Sequence, residues 1–207
     1  MKFEIFVVGP FQENTVVVWD ETSRKCFVID PGGDNQRIRR FMEERRLLPQ
    51  AIVNTHGHID HIAGARELQD ALNIPFMLHK GDEMVLEVAE GTAAYFGVSF
   101  PGAPRIDAEL NDGQILALDE TTLTVIHTPG HTPGGVCLLC GEDIFVGDTL
   151  FAGSVGRTDL PGGSEATLIE SIFSRLLTLP DATRVHPGHG PSTTIGRERR
   201  SNPFLQD

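Results

Sequence analysis

The segment Thr55-His56-Gly57-His58-Ile59-Asp60-His61 sets three imidazoles and a carboxylate within the six positions from His56 to His61. Both groups are good ligands for divalent cations, so the chain is constrained to a fold that can close this segment onto metal. The apolar Ala51-Ile52-Val53 before it reads as a short buried strand opening into a loop, which places the ligands at the carboxyl end of a sheet. In an extended loop, side chains two apart point the same way, so His56 and His58 can grip one ion. The helical spacing of Ile62, Leu68 and Leu72 then begins, and the turn into it redirects Asp60 and His61 toward a second position.

Three more polar residues lie beside glycine after apolar runs: His131 in the stretch 128–135, Asp148 in 146–149 and His189 in 186–190. A catalytic zinc ion takes three protein ligands and keeps one position open, so a single ion cannot use all seven side chains. Three plus three with one shared carboxylate does use them: His56, His58 and His131 on a first metal, Asp60, His61 and His189 on a second, and Asp148 bridging. Two divalent ions, two aspartates and one hydroxide leave a formal charge of about +1, which a partly buried site tolerates. Zinc is the expected occupant, and the same ligands suit iron or manganese.

With its H-x-H-x-D-H signature at 56–61 and His131, Asp148 and His189 following in order, the chain resembles the metallo-β-lactamase superfamily. Within it, the stretches TPGHTPGG (128–135), GDTLFAGSVGRTDLPGG (147–163) and HPGHGPSTT (186–194) resemble the short, single-domain bacterial glyoxalase II-like hydrolases. The likeness runs from about residue 10 to residue 205. It implies an α/β fold, an αββα sandwich of two mixed sheets flanked by helices, with a dinuclear site along one edge. It also implies a thioesterase that cleaves S-(2-hydroxyacyl)glutathione, such as S-lactoylglutathione, by a metal-bridging hydroxide that Asp60 orients. β-Lactamases of the best-known subclasses carry cysteine where Asp148 stands, so the resemblance points away from that activity. A persulfide dioxygenase, holding a single iron at the counterparts of His56, His131 and Asp148, stays open as an alternative, as does a lactonase or phosphodiesterase.

Full-length glyoxalase II enzymes append a helical glutathione-binding domain, whereas 190–207 alone follows the last ligand here, and fewer than about 40 residues seldom fold alone. One domain over residues 1–207 is therefore expected. Where those enzymes present a lysine and, two positions on, a tyrosine to glutathione, this chain has Arg157 and Asp159. Arg157 can fork onto a substrate carboxylate, or pair with Asp159.

A formal charge of −12 argues against nucleic-acid partners, because phosphate binding needs clustered Lys and Arg. No apolar run approaches the roughly 20 residues of a bilayer span, and no basic leader is evident, so a cytoplasmic protein acting on a small thioester is expected. Monomer and dimer stay open. Three cysteines make no disulfide framework, and Cys137 and Cys140, three apart on one strand, should be buried thiols on opposite faces. Structural or supporting roles are expected for His79, His127 and His186.

Strands are expected near 2–8, 14–19, 25–30, 50–54, 75–78, 114–118, 122–127, 135–140, 143–147 and 183–186, and helices near 34–47, 61–72, 80–89 and 165–178. Arg197, Arg199 and Arg200 mark the solvated face of a last short helix, with Ser192 and Thr193 as caps. The glycine-rich loop 153–163 lacks the G-K-[ST] ending of a phosphate loop and should frame the substrate mouth.

Overall fold

The computed structural model describes residues 1–206. Its first half runs β1 (Lys2–Val8), β2 (Glu13–Trp19), β3 (Lys25–Ile29), α1 (Asn35–Glu44), β4 (Leu48–Val53), α2 (Ile59–Ile62), α3 (Ala65–Leu72), β5 (Phe76–His79), α4 (Glu83–Glu87), α5 (Ala89–Phe96) and β6 (Ile106–Leu110). The second runs β7 (Ile115–Leu118), β8 (Thr121–His127), β9 (Val136–Cys140), β10 (Asp143–Gly147), the small hairpin β11 (Leu150–Phe151) and β12 (Ser154–Val155), α6 (Glu165–Ser171), β13 (Arg184–Pro187), β14 (Thr193–Thr194) and α7 (Ile195–Ser201).

The strands form two mixed sheets, ordered β1-β2-β3-β4-β5-β6 and β14-β13-β10-β9-β8-β7. Strand β2 shows why they stack as they do. Its residues are all buried, with Val16 and Val18 on one face and Val17 and Trp19 on the other, so its sheet must be covered on both sides. Val16, Val18, Ile29 and Val53 meet Leu118, Leu123, Leu138 and Phe145 of the facing sheet. On the outer face, Val17, Val28 and Ile52 pack against Ile38 and Phe41 of α1 and Leu68 of α3. Leu168 of α6 covers Ile126, Ile144 and Val185 of the second sheet in the same way. The result is the expected αββα sandwich. Truncating the fully buried Phe145 to alanine would cost about 3–5 kcal/mol.

Cys137 and Cys140 do point to opposite faces, Cys137 toward the helices and Cys140 into the inter-sheet core. Burial pushes the Cys137 thiol up to about 11.

Three expected helices are divided. The pattern over 61–72 splits into α2 and α3 because the Gly64 N–H turns to the Pro31 carbonyl (2.9 Å), where Asn35 packs too closely to admit a Cβ. The pattern over 80–89 becomes a 3-10 turn at Lys80–Asp82, then α4 and the unforeseen α5. The third, 165–178, is α6 continued as a π turn over Ile172–Leu176. Edge strand β6 was not expected: Ile106-Asp107-Ala108-Glu109-Leu110 does alternate, but it is only five residues long and Leu110 is its one buried residue. Helix α7 is capped by Thr194, whose hydroxyl accepts from the Arg197 N–H, in place of Ser192 or Thr193.

Candidate metal centre

Strands β4, β8, β10 and β13 end at Val53, His127, Gly147 and Pro187, and the loops that follow converge on one edge of the sandwich. Buried polar side chains fix these loops. The Asn54 amide donates to the His56 carbonyl (3.2 Å) and the His61 carbonyl (3.0 Å), drawing the first loop into a compact turn. Asp82 joins that loop to the next, since its carboxylate accepts from the Gly57 N–H (2.8 Å), the Thr132 hydroxyl (2.9 Å) and the Gly134 N–H (2.6 Å). Burial raises the Asp82 carboxyl even against those hydrogen bonds. The last loop is tied to the first hairpin: Asn14 donates its backbone N–H to the Gly188 carbonyl (2.7 Å) and its amide to the Pro187 and Gly190 carbonyls (both 2.9 Å). Position 188 has to be glycine, because a Cβ there would strike Asp148 and His61.

The seven side chains singled out in the sequence meet at this edge. His56, His58 and His131 form one group of converging ligand atoms, and Asp60, His61 and His189 form another. His131 Nε2 lies 2.9 Å from His58 Nδ1 and 3.3 Å from His56 Nε2. His189 Nε2 lies 3.0 Å from Asp60 Oδ2, and His61 Nε2 3.9 Å from the same oxygen. Asp148 stands between the groups, with Oδ1 3.4 Å from His61 Nε2 and Oδ2 3.7 and 3.8 Å from the Nε2 atoms of His131 and His189.

Hydrogen bonds on the far side of each ring determine which nitrogen faces inward. A carbonyl or carboxylate can only accept, so His131 Nδ1 donates to the Arg157 carbonyl (2.7 Å), His189 Nδ1 to the Phe11 carbonyl (3.1 Å) and His61 Nδ1 to Asp30 (3.0 Å). The Thr55 hydroxyl donates to Asp30 and therefore accepts from His56 Nδ1 (3.1 Å). In their neutral forms, four rings thus present Nε2 lone pairs to each other and to two carboxylates. Lone pairs this close repel unless a cation lies among them, and among the described residues the buried His61 Nε2 and Asp148 Oδ1 have no hydrogen-bond partner. The donor set fits divalent metal on both counts.

The two groups differ in charge. Burial and neighbouring imidazoles hold His56 well below its ordinary range, and burial with His131 beside it pushes His58 down to about 4. Burial also opposes protonation of His61, but Asp148 and Asp60 outweigh it and hold that ring well above its ordinary range. Burial opposes ionisation of Asp60, and the His61 and His189 imidazoles beside it outweigh that, keeping the carboxyl below the usual range.

Arg157 lies outside both groups. Its guanidinium forks onto Asp159 (2.7 and 2.8 Å), and its backbone carbonyl steadies His131. His79 caps the turn at Lys80–Asp82 by accepting from the Gly81 N–H and stacks on His127, and His186 bridges Asp143 and Ser192. Sequence reasoning missed Asp30, Asn54, Thr55 and Asp82. Asp30 left a usable signal, an acid ending an apolar strand before Pro31-Gly32-Gly33, as Asp148 ends another. Asp82 left none.

The family model described as the metallo-beta-lactamase superfamily matches residues 8–189. The chain is similar to the hydroxyacylglutathione hydrolase GloC of Haemophilus influenzae, with 40% identity covering 99% of this chain and 98% of that protein. Among solved structures it is similar to the BLEG-1 B3 metallo-beta-lactamase, at 36% identity and a TM-score of 0.91 with both chains covered in full. It is also similar to TTHA1623 in a di-iron-bound form, at 41% identity and a TM-score of 0.89 over 98% of this chain and 100% of that one. From the sandwich, the His/Asp edge and the extent of these matches, we conclude that the chain belongs to the metallo-beta-lactamase superfamily.

Proposed function

We propose that this protein is a dinuclear metal-dependent thioesterase of the glyoxalase II type, releasing an acid and a free thiol from a small thioester. The observation that carries this reading is the placement of the Asp148 carboxylate between two three-ligand groups. His56, His58 and His131 would hold one ion, Asp60, His61 and His189 the other, and Asp148 both. Divalent cations bound there supply Lewis acidity, which activates water and polarises the acyl carbonyl. Iron suits these ligands as zinc does, and TTHA1623 has been solved in a di-iron-bound form.

The chain's own residues do the remaining work. Asp60 stays ionised and accepts a hydrogen bond from the attacking water, which aims its lone pair. Asp30 and the Thr55 hydroxyl hold His61 and His56 in the tautomers that present Nε2. A thiol of pKa near 8.5 departs as thiolate, so no general acid is required. Asp159 holds the Nε–Nη2 edge of Arg157, so a substrate carboxylate would take the remaining Nη1 edge or displace Asp159.

Elemental analysis of freshly purified protein, with S-lactoylglutathione assayed under air and under nitrogen, tests this reading. Two metals per chain and oxygen-independent thiol release support it; one iron per chain with oxygen uptake would instead favour a dioxygenase. The likeness to BLEG-1 favours β-lactam hydrolysis as a second reading, and turnover of a chromogenic cephalosporin without thioester cleavage would establish it in place of the first.

A further inference from the structure

We infer that the cleft beside His58 seats an uncharged, apolar group of the thioester, so that this site selects its substrate by apolar burial and not by charge. The inference rests on the thioesterase reading above. The cleft, of about 480 Å³, lies between α4–α5 and the turn at Leu160 and Pro161, and Gly57 and His58 form part of its wall. A group seated there is therefore continuous with the first ligand group. Its volume is that of a small-molecule site.

The walls are Met84, Val85, Val88, Tyr95, Phe96 and Leu160, and the polar side chains among the lining residues are those of His58, Thr92 and Tyr95. No Lys or Arg belongs to that lining. Met84, Val88, Tyr95 and Phe96 are 51, 56, 84 and 50% exposed, a concentration of large apolar side chains on neighbouring turns of a chain whose net charge is −12. Phe96 packs edge-on against Phe11 (5.5 Å between ring centroids), and the Phe11 carbonyl holds His189, so the apolar wall extends to the second ligand group as well. The basic side chain of the adjoining loop, Arg157, is engaged by Asp159. A thiol recognised through its carboxylates would find no free cation in this lining, whereas an acyl or alkyl chain finds surface to bury.

Two substrate series test the inference: thioesters of one neutral thiol lengthened from acetyl to decanoyl, and acetyl thioesters of increasingly apolar neutral thiols. In one of them, kcat/KM should rise about threefold per added methylene until the cleft is filled. A rise in the first series assigns the cleft to the acyl group, and a rise in the second to the departing thiol. Profiles flat in both overturn the proposal. Val88→Asp, at an exposed position, should lower the ratio of kcat/KM for the longest substrate to kcat/KM for the acetyl thioester of the smallest thiol by about tenfold or more.

Calorimetric binding of an uncleavable alkyl thioether separates the two readings. If no thioester is cleaved but the thioether binds and Val88→Asp abolishes binding, the thioesterase reading fails and the apolar site stands. If thioesters are cleaved without length preference and the thioether does not bind, the cleft proposal alone fails. It fails equally if Val88→Asp converts a dimer to a monomer in sedimentation with both profiles unchanged, which would make this face a contact between two copies.

Discussion

Four of the histidine rings at the metal centre commit one nitrogen to an outward hydrogen bond, and the loops that carry them are tied to other segments by buried side chains such as Asp82 and Asn14. In the neighbouring cleft, Met84, Val88, Tyr95 and Phe96 are half exposed or more, on helices only a turn or two long. The first region is over-determined, so its ligand atoms have little freedom to rearrange. The second is an adaptable apolar surface whose side chains can repack around different guests. If the cleft is the substrate seat proposed above, chemistry and selection reside in separate elements, and substitution on α4–α5 would change the substrate more than the centre.

Four substitutions would break or sharpen that contrast. The largest effect should come from Asp148→Ala, which removes the carboxylate common to both ligand groups. We expect kcat/KM to fall by more than about a hundredfold and metal content to drop below one ion per chain, read by activity with elemental analysis. Full retention of both would mean that the centre is not built around this residue. Next comes Asp30→Asn, which sets an amide where the Thr55 N–H, the Thr55 hydroxyl and His61 Nδ1 all donate. Metal affinity in a chelator competition should weaken by about 10- to 100-fold.

Asp143 gives a pH signature remote from the metals. Burial opposes its ionisation, but Arg184 and His186 outweigh this and depress the carboxyl. A carboxyl depressed in the folded state contributes stability that is present above its unfolded value, near 3.9, and is lost as pH falls through the lower folded value. In chelator-treated protein, the gap in denaturant midpoint between wild type and Asp143→Asn should therefore close as pH drops below about 4. A gap independent of pH would remove the ion pair as its cause. The smallest effect is expected for Arg157→Ala. Because Arg157 lies outside both ligand groups and pairs with Asp159, kcat/KM for an uncharged thioester should stay within about threefold. A far larger loss confined to glutathione thioesters would show that Arg157 receives the substrate, and would weaken the contrast.

How much of this was legible in the sequence follows the same division. The ligand segment 56–61 sits in one short run, and His131, Asp148 and His189 each stand beside glycine just after an apolar run, so local patterning found them. The sandwich was expected from the family resemblance, and β2, β9 and β10, buried on both faces, are what its two stacked sheets require. Asp82 was invisible because its partners Thr132 and Gly134 lie about 50 residues away and form no local pattern. The cleft was equally hidden. Nothing in Met84 or Phe96 distinguishes an exposed apolar residue from a core one until tertiary packing leaves it uncovered. The helix over 61–72 was misjudged because Gly64 breaks its ladder through a contact with Pro31, which periodicity cannot register.

The ties from Asn14 to the carbonyls of Pro187, Gly188 and Gly190 bear on when the protein can acquire metal. On the ribosome, the segment 56–61 is finished more than a hundred residues before His189, and Asp148 and His131 also come late. Until His189 is made, a nascent chain can offer an arriving ion only a fragment of the Asp60, His61 and His189 group, in a loop not yet held by its later partners. The group Asp60, His61 and His189 is completed only when the opening hairpin and the final loop meet, so a metal held there would be taken up late in maturation, and one captured sooner would remain exchangeable.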